Sequence, residues 1–220
     1  CVPARAALAT GRPIFETGYW DNVDAYDGKT PSWHHLLRDQ GHDVVSIGKL
    51  HYRGWNGDDY GFSESLLPMH IHNGRGELKM LLRDPPGDLG DGSNLLRSAR
   101  AGESDYTRYD DDICDSAVEW LRQAGAHPRS KPWVLMVSFV APHFPLTVPQ
   151  RFLDIYEGRE LALPKDYQFG LTPDAHPFLQ AYARVSGYNM HFRNDADVRR
   201  ALACYYALVS SMDDRTGRVL

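Results

Sequence analysis

The residues best suited to chemistry fall in three short stretches. The chain opens as Cys1-Val2-Pro3-Ala4-Arg5, and Lys49 and His51 stand two apart in Gly48-Lys49-Leu50-His51. His143 sits between prolines in Pro142-His143-Phe144-Pro145. Pro3 suits a first helical turn, where its missing N–H is no loss. Ala6 to Ala9 favour helix, and Gly11 can close it in a left-handed cap. Cys1 is therefore expected at or just before a helix N-terminus. Free N–H groups and the positive end of the dipole favour an anion there, and also the thiolate form of a cysteine. That is a place for a nucleophile attacking an anionic substrate. Arg5 offers a fixed fork of donors and Lys49 a compact positive charge. His51 and His143 offer proton transfer near neutral pH.

The elements that would position these groups read as alternating helix and strand. Thr30-Pro31 predicts a helix start, Trp33, Leu36 and Leu37 its apolar face, and Gly41 its stop. Residues 43–47 are a β-branched run, hence a strand, with the Lys49 and His51 stretch just past its end. Residues 133–141 (WVLMVSFVA) predict a strand buried on both faces, with His143 just past it. In open α/β sheets ligands bind at that edge. Residues 13–29 read as loop, and residues 52–104 as a largely irregular, variable insertion with a short helix near 77–82. Asp110-Asp111-Asp112 reads as a solvated helix start rather than a metal site, because successive helical residues diverge by about 100°. Gly125 is its expected stop. Short helices are expected over 149–156 and 178–185. A long amphipathic helix is expected over 195–220, its apolar face carried by Val198, Leu202, Tyr205, Tyr206, Val209, Met212 and Val219.

With these residues in place, the chain resembles the type I, formylglycine-dependent sulfatases of the alkaline-phosphatase-like superfamily. The matching stretches are Cys1-x-Pro3-x-Arg5 with Thr10-Gly11-Arg12, then residues 48–51, 142–145 and 205–220, in the family's order. The residues around 48–54 and 59–62 are most similar to choline-sulfatase-like and bacterial arylsulfatase branches. Ala4 stands where the family usually has serine. The resemblance implies a three-layer α/β/α fold with a largely parallel mixed sheet, present here as part of an N-terminal catalytic domain. It implies a sulfuric ester hydrolase in which Cys1 becomes formylglycine, whose hydrate attacks sulfur. His51 would be the base that then releases sulfate. Lys49 and His143 would grip sulfate oxygens, His143 also serving the leaving group, and Arg5 would steady the nucleophile. Position 1 would ligate a divalent metal, most often calcium, with magnesium or manganese as alternatives. The other ligands are expected outside this chain. The resemblance further implies a small sulfate ester substrate and a formylglycine-generating or equivalent maturation enzyme. A phosphonate monoester or phosphodiester hydrolase would use the same nucleophile, and a non-catalytic anion-binding relative would leave Cys1 unoxidised.

Composition sets the limits around this reading. At 220 residues and 42% hydrophobic, the chain can build a sizeable α/β core. A net charge of −5 with no basic block argues against a general nucleic-acid binder. No apolar run is long enough to cross a membrane. Three cysteines form a sparse, odd set with no disulfide framework, which favours a reducing, cytoplasmic compartment. Cys114 and Cys204 are expected as buried packing residues, and Asp213 and Asp214 as ion-pairing helix residues. The remaining histidines are expected to be structural, with His70 and His72 candidates to reach substrate. The opening on Cys1 and the uncapped Val219-Leu220 suggest a segment of a longer protein. Oligomeric state is left open.

Overall fold

The computed structural model describes residues 1–74, 76, 93–165, 167, 175–187 and 191–220. The chain divides into two compact units, Cys1–Lys79 with Asp110–Phe139, and Met80–Tyr109 with Val140–Arg218.

The first unit is built on a parallel sheet of order β2-β1-β4, formed by Val44–Lys49 (β1), Glu64–Met69 (β2) and Val134–Ser138 (β4). Every residue of β1 is buried, because it lies between two partners. β4 was expected to be buried on both faces but is half-buried, as it pairs on one side only among the described residues. β2 falls in the stretch expected to be irregular. Its exposed edge position explains the weak apolar pattern that hid it. The expected helix near 77–82 lies outside the described residues.

Helix α1, Val2–Thr10, has Cys1 as its N-cap and closes on Gly11 at φ 65°. Val2, Ala6 and Ala9 bury one face, and Ala6 and Ala9 pack with Tyr19, Tyr26, Leu50 and Tyr52. A one-turn helix, α2 (Ile14–Thr17), interrupts the expected loop. α3 runs Trp33–Asp39 and starts later than Thr30-Pro31 predicts. Ser32 is its cap, bonded to His35, whose ring accepts from the Ser32 N–H. The face it buries carries His34, not Leu36, which is 60% exposed. The His34 ring stacks on Phe62 and meets Ser32 Oγ and the Tyr60 carbonyl at 3.0 and 3.1 Å.

α5, Asp105–Ala126, begins well before the aspartates read as its start and ends one residue beyond Gly125. Its true cap is Ser104, which exchanges bonds with Thr107: Ser104 N–H donates to Thr107 Oγ1 at 2.8 Å and Thr107 N–H to Ser104 Oγ at 3.2 Å. Asp110 therefore lies inside the helix.

The second unit has a short parallel pair, Arg100–Ala101 (β3) with Thr147–Val148 (β5), and the helices Asn94–Arg97 (α4), Gln150–Leu153 (α6), Pro177–Ser186 (α7) and Asp195–Val219 (α8). α8 buries Val198, Ala201, Cys204, Ala207, Leu208, Ser211 and Arg215, and of these Ala201, Cys204, Ala207 and Leu208 pack with Leu146, Val148 and Phe152. Of the face expected from periodicity only Val198 is fully buried; Tyr205 and Tyr206 are exposed. Small side chains let the helix backbone approach its neighbours, which a count of large apolar residues does not register. Cys114 and Cys204 are both buried, as expected, and neither is in a disulfide. Asp214 pairs with Arg151 at 3.4 Å.

Candidate active site

Helix periodicity brings Arg5 back over Cys1, one turn away. Arg5 Nε donates to Cys1 Sγ at 3.2 Å. The same guanidinium donates from Nη1 to the Lys49 carbonyl at 2.6 Å and to Ser138 Oγ at 3.1 Å. One side chain thus ties the helix N-terminus to the C-terminal ends of two parallel strands, β1 and β4. Cys1 itself is exposed. Asn22, from the stretch after α2, accepts from the Val2 N–H at 3.1 Å and fixes the entry to α1.

β1 ends in an irregularity that re-aims its last residues. The register with β2 shifts between Ile47 and Lys49. Gly48 sits at φ 98°, and a Cβ there would meet Ser138 O at 2.4 Å, so the bulge requires glycine. Leu50 and His51 N–H groups both donate to the Met69 carbonyl, at 3.1 and 2.7 Å. His51 has φ 57°, a left-handed conformation that few residues other than glycine adopt and that histidine tolerates better than most. His70 follows Met69 at the same sheet edge, partly buried against Tyr60. His72 lies exposed in a turn.

Lys49 is 3% exposed, so its ammonium is largely out of water. Burial pushes its pKa down, the Arg5 charge adds to that, and Asp110 opposes both. Asp110 is 1% exposed, against the expectation of a solvated helix start; Asp111 and Asp112 do face solvent. Asp110 is the buried carboxylate acting on Lys49 that sequence reasoning passed over. The signal available was Ser104-x-x-Thr107, which moves the helix start back and turns Asp110 inward.

His143 lies in the second unit. Its N–H bonds the Val140 carbonyl at 3.1 Å, its ring stacks on Phe144 with centroids 4.4 Å apart, and Tyr106 meets it edge-on at 5.9 Å. The first unit gathers Cys1, Arg5, Lys49 and His51 at one sheet edge; His143 belongs to the other set of contacts.

The described residues hold no cluster of three metal-ligating side chains. One donor at position 1 does not make a cation cage, and no step below is routed through a metal. A formyl group at position 1 does fit, since Arg5 Nε already points a donor at the atom there.

A profile of the Sulfatase family matches residues 1–220. The chain belongs to the sulfatase family. Within this family it is 29% identical to the choline-sulfatase of Rhizobium meliloti (strain 1021) over 230 residues, covering 100% of this chain and 44% of that one. A structure solved with its substrate D-glucosamine-2-N,6-O-disulfate matches with TM-score 0.60 and 20% identity, over 100% of this chain and 51% of that chain. The phosphonate monoester hydrolase of Agrobacterium radiobacter matches with TM-score 0.59 and 21% identity, over 99% and 48%. The chain thus spans about half the length of these relatives. The structural likenesses establish the alkaline-phosphatase-like α/β fold.

Proposed function

We propose that the protein to which this sulfatase-family chain belongs hydrolyses a sulfate monoester, with position 1 as nucleophile after oxidation of Cys1 to formylglycine. The observation that carries this is the Arg5 bridge, which sets Cys1 Sγ, the Lys49 carbonyl and Ser138 Oγ around one guanidinium. The formyl group supplies, once hydrated, an oxygen nucleophile with a second hydroxyl to help expel sulfate. Arg5 holds that oxygen in place and offsets its charge. Lys49, kept cationic in part by Asp110, stabilises the negative charge on the transferring group from a largely water-excluded position. His51, held at φ 57° by the strand end, takes the proton whose loss releases sulfate. His143 grips a sulfate oxygen and protonates the departing alcohol, a role resting on the resemblance. The family's divalent metal, taken as calcium by resemblance, needs ligands beyond those described. Maturation requires an enzyme that oxidises Cys1.

Cys1→Ala in the full-length protein is expected to abolish turnover of 4-nitrophenyl sulfate while leaving the circular dichroism spectrum unchanged. Wild-type rates in that variant would remove position 1 from the mechanism. Parallel kinetics on an aryl phosphonate monoester separate the sulfatase from the phosphonate hydrolase reading, and intact mass of the Cys1 peptide reads the oxidation directly.

A further inference from the structure

Of the contacts that hold the Arg5 guanidinium, three bear on its aim at position 1. Nε donates to Cys1 Sγ at 3.2 Å, and Nη1 donates to the Lys49 carbonyl at 2.6 Å and to Ser138 Oγ at 3.1 Å. All four residues belong to the first unit. The Lys49 carbonyl is backbone, so any residue there would supply it. Ser138 Oγ is a side-chain atom and depends on the residue chosen. It is the one hydroxyl in the apolar run 133–141. Ser138 closes β4 and stands opposite Gly48 in the parallel ladder. Gly48 has no side chain, which lets the Ser138 carbonyl lie close against it. The hydroxyl is therefore carried by a strand end fixed against its partner, a more precise support than a loop.

A guanidinium is a rigid plane. Contacts to Cys1 Sγ and the Lys49 carbonyl alone leave that plane able to turn about the line joining them. The third contact, to Ser138 Oγ, removes this freedom. We propose that Ser138 is a positioning residue for the nucleophile, its hydroxyl fixing the plane of Arg5 so that Nε faces the reacting atom at position 1. The proposal rests on the reading of position 1 as nucleophile, and it adds a residue outside the stretches from which that reading starts.

Two measurements on the full-length protein test it. The first uses protein made without the maturation enzyme, in which Cys1 is still a thiol. Alkylation of the Cys1 peptide by iodoacetate and by iodoacetamide is followed by mass spectrometry. The ratio of the two rates cancels the reactivity of the thiol itself and reads the positive charge held beside it, because only iodoacetate carries a carboxylate. Ser138→Ala is expected to lower that ratio about threefold, the scale of a partly exposed charge pair. Ser138→Thr keeps a hydroxyl, suits a strand and is expected to keep the ratio. The second measurement is turnover of 4-nitrophenyl sulfate by the matured enzyme, normalised to the fraction of position 1 that is oxidised. Ser138→Ala is expected to lower kcat on the order of tenfold with KM little changed, as for a misplaced reacting group, and Ser138→Thr to restore it. An unchanged ratio in Ser138→Ala, an unchanged kcat beside a lowered ratio, or equal losses in the alanine and threonine variants would overturn the proposal. A lowered ratio, restored by threonine, in a protein that turns over no sulfate ester would keep Ser138 as the residue that aims Arg5 and reject the sulfatase reading. Turnover that depends on Cys1, with the ratio unmoved, would do the reverse.

Discussion

Asp110 shows how one side chain sets the behaviour of another. It offsets the burial and the Arg5 repulsion that press Lys49 toward its neutral form. Asp110→Asn is expected to lower kcat/KM on the order of tenfold at neutral pH in the full-length protein, through the loss of one opposite charge acting on Lys49. The sign of its pH effect follows directly: Lys49 must be protonated to hold sulfate, and without Asp110 its pKa falls further. The alkaline limb of the kcat/KM profile therefore moves to lower pH, and an unmoved limb would mean that Asp110 does not act through Lys49. His51→Ala is expected to leave the first half of the reaction partly working. Mass spectrometry of the peptide carrying position 1 should then show an added sulfate. Retained turnover with no such mass would take the proton-transfer role away from His51.

At the scale of elements, the bulge at Gly48 and the small-residue face of α8 matter more than helix or strand propensity. Ala207 and Cys204 are completely buried, so the approach of α8 to its neighbours is set by side chains of minimal size. Ala207→Leu overpacks that interface and is expected to cost about 1–3 kcal/mol, read by urea denaturation. A neutral result would show that the interface has room that its burial denies. The same face explains why periodicity over 195–220 located the helix but misjudged its inner side. Large apolar residues at the margin, Tyr205 and Tyr206, carry the pattern, while alanine and cysteine carry the contact.

For the molecule as a whole, stability toward acid is tied to His34. Burial drives its pKa from 6.5 down to about 4, with the nearby His35 adding a little and the bond to the Tyr60 carbonyl opposing. The unfolded chain binds the extra proton between those values and the folded chain does not. His34 therefore contributes stability that is full above pH 6.5 and is lost as pH falls toward about 4. His34→Gln is expected to flatten that part of the stability curve while lowering the plateau by roughly 1–3 kcal/mol through the bonds to Ser32 and Tyr60. Denaturation followed by tryptophan fluorescence from pH 4 to 8 checks both. The amino-acid order alone determined the helix–strand alternation, the placing of Cys1 at a helix start, and the delivery of Lys49 and His51 to a strand's end. Those depend on residues near in sequence: a proline in a first turn, a glycine at a cap, a β-branched run. Only the tertiary structure decided that β2 joins the sheet, that Asp110 turns inward beside Lys49, and that Arg5 spans Cys1 and two strand ends. Each of these depends on groups dozens of residues apart, whose burial and charge balance exist only once the chain has closed on itself.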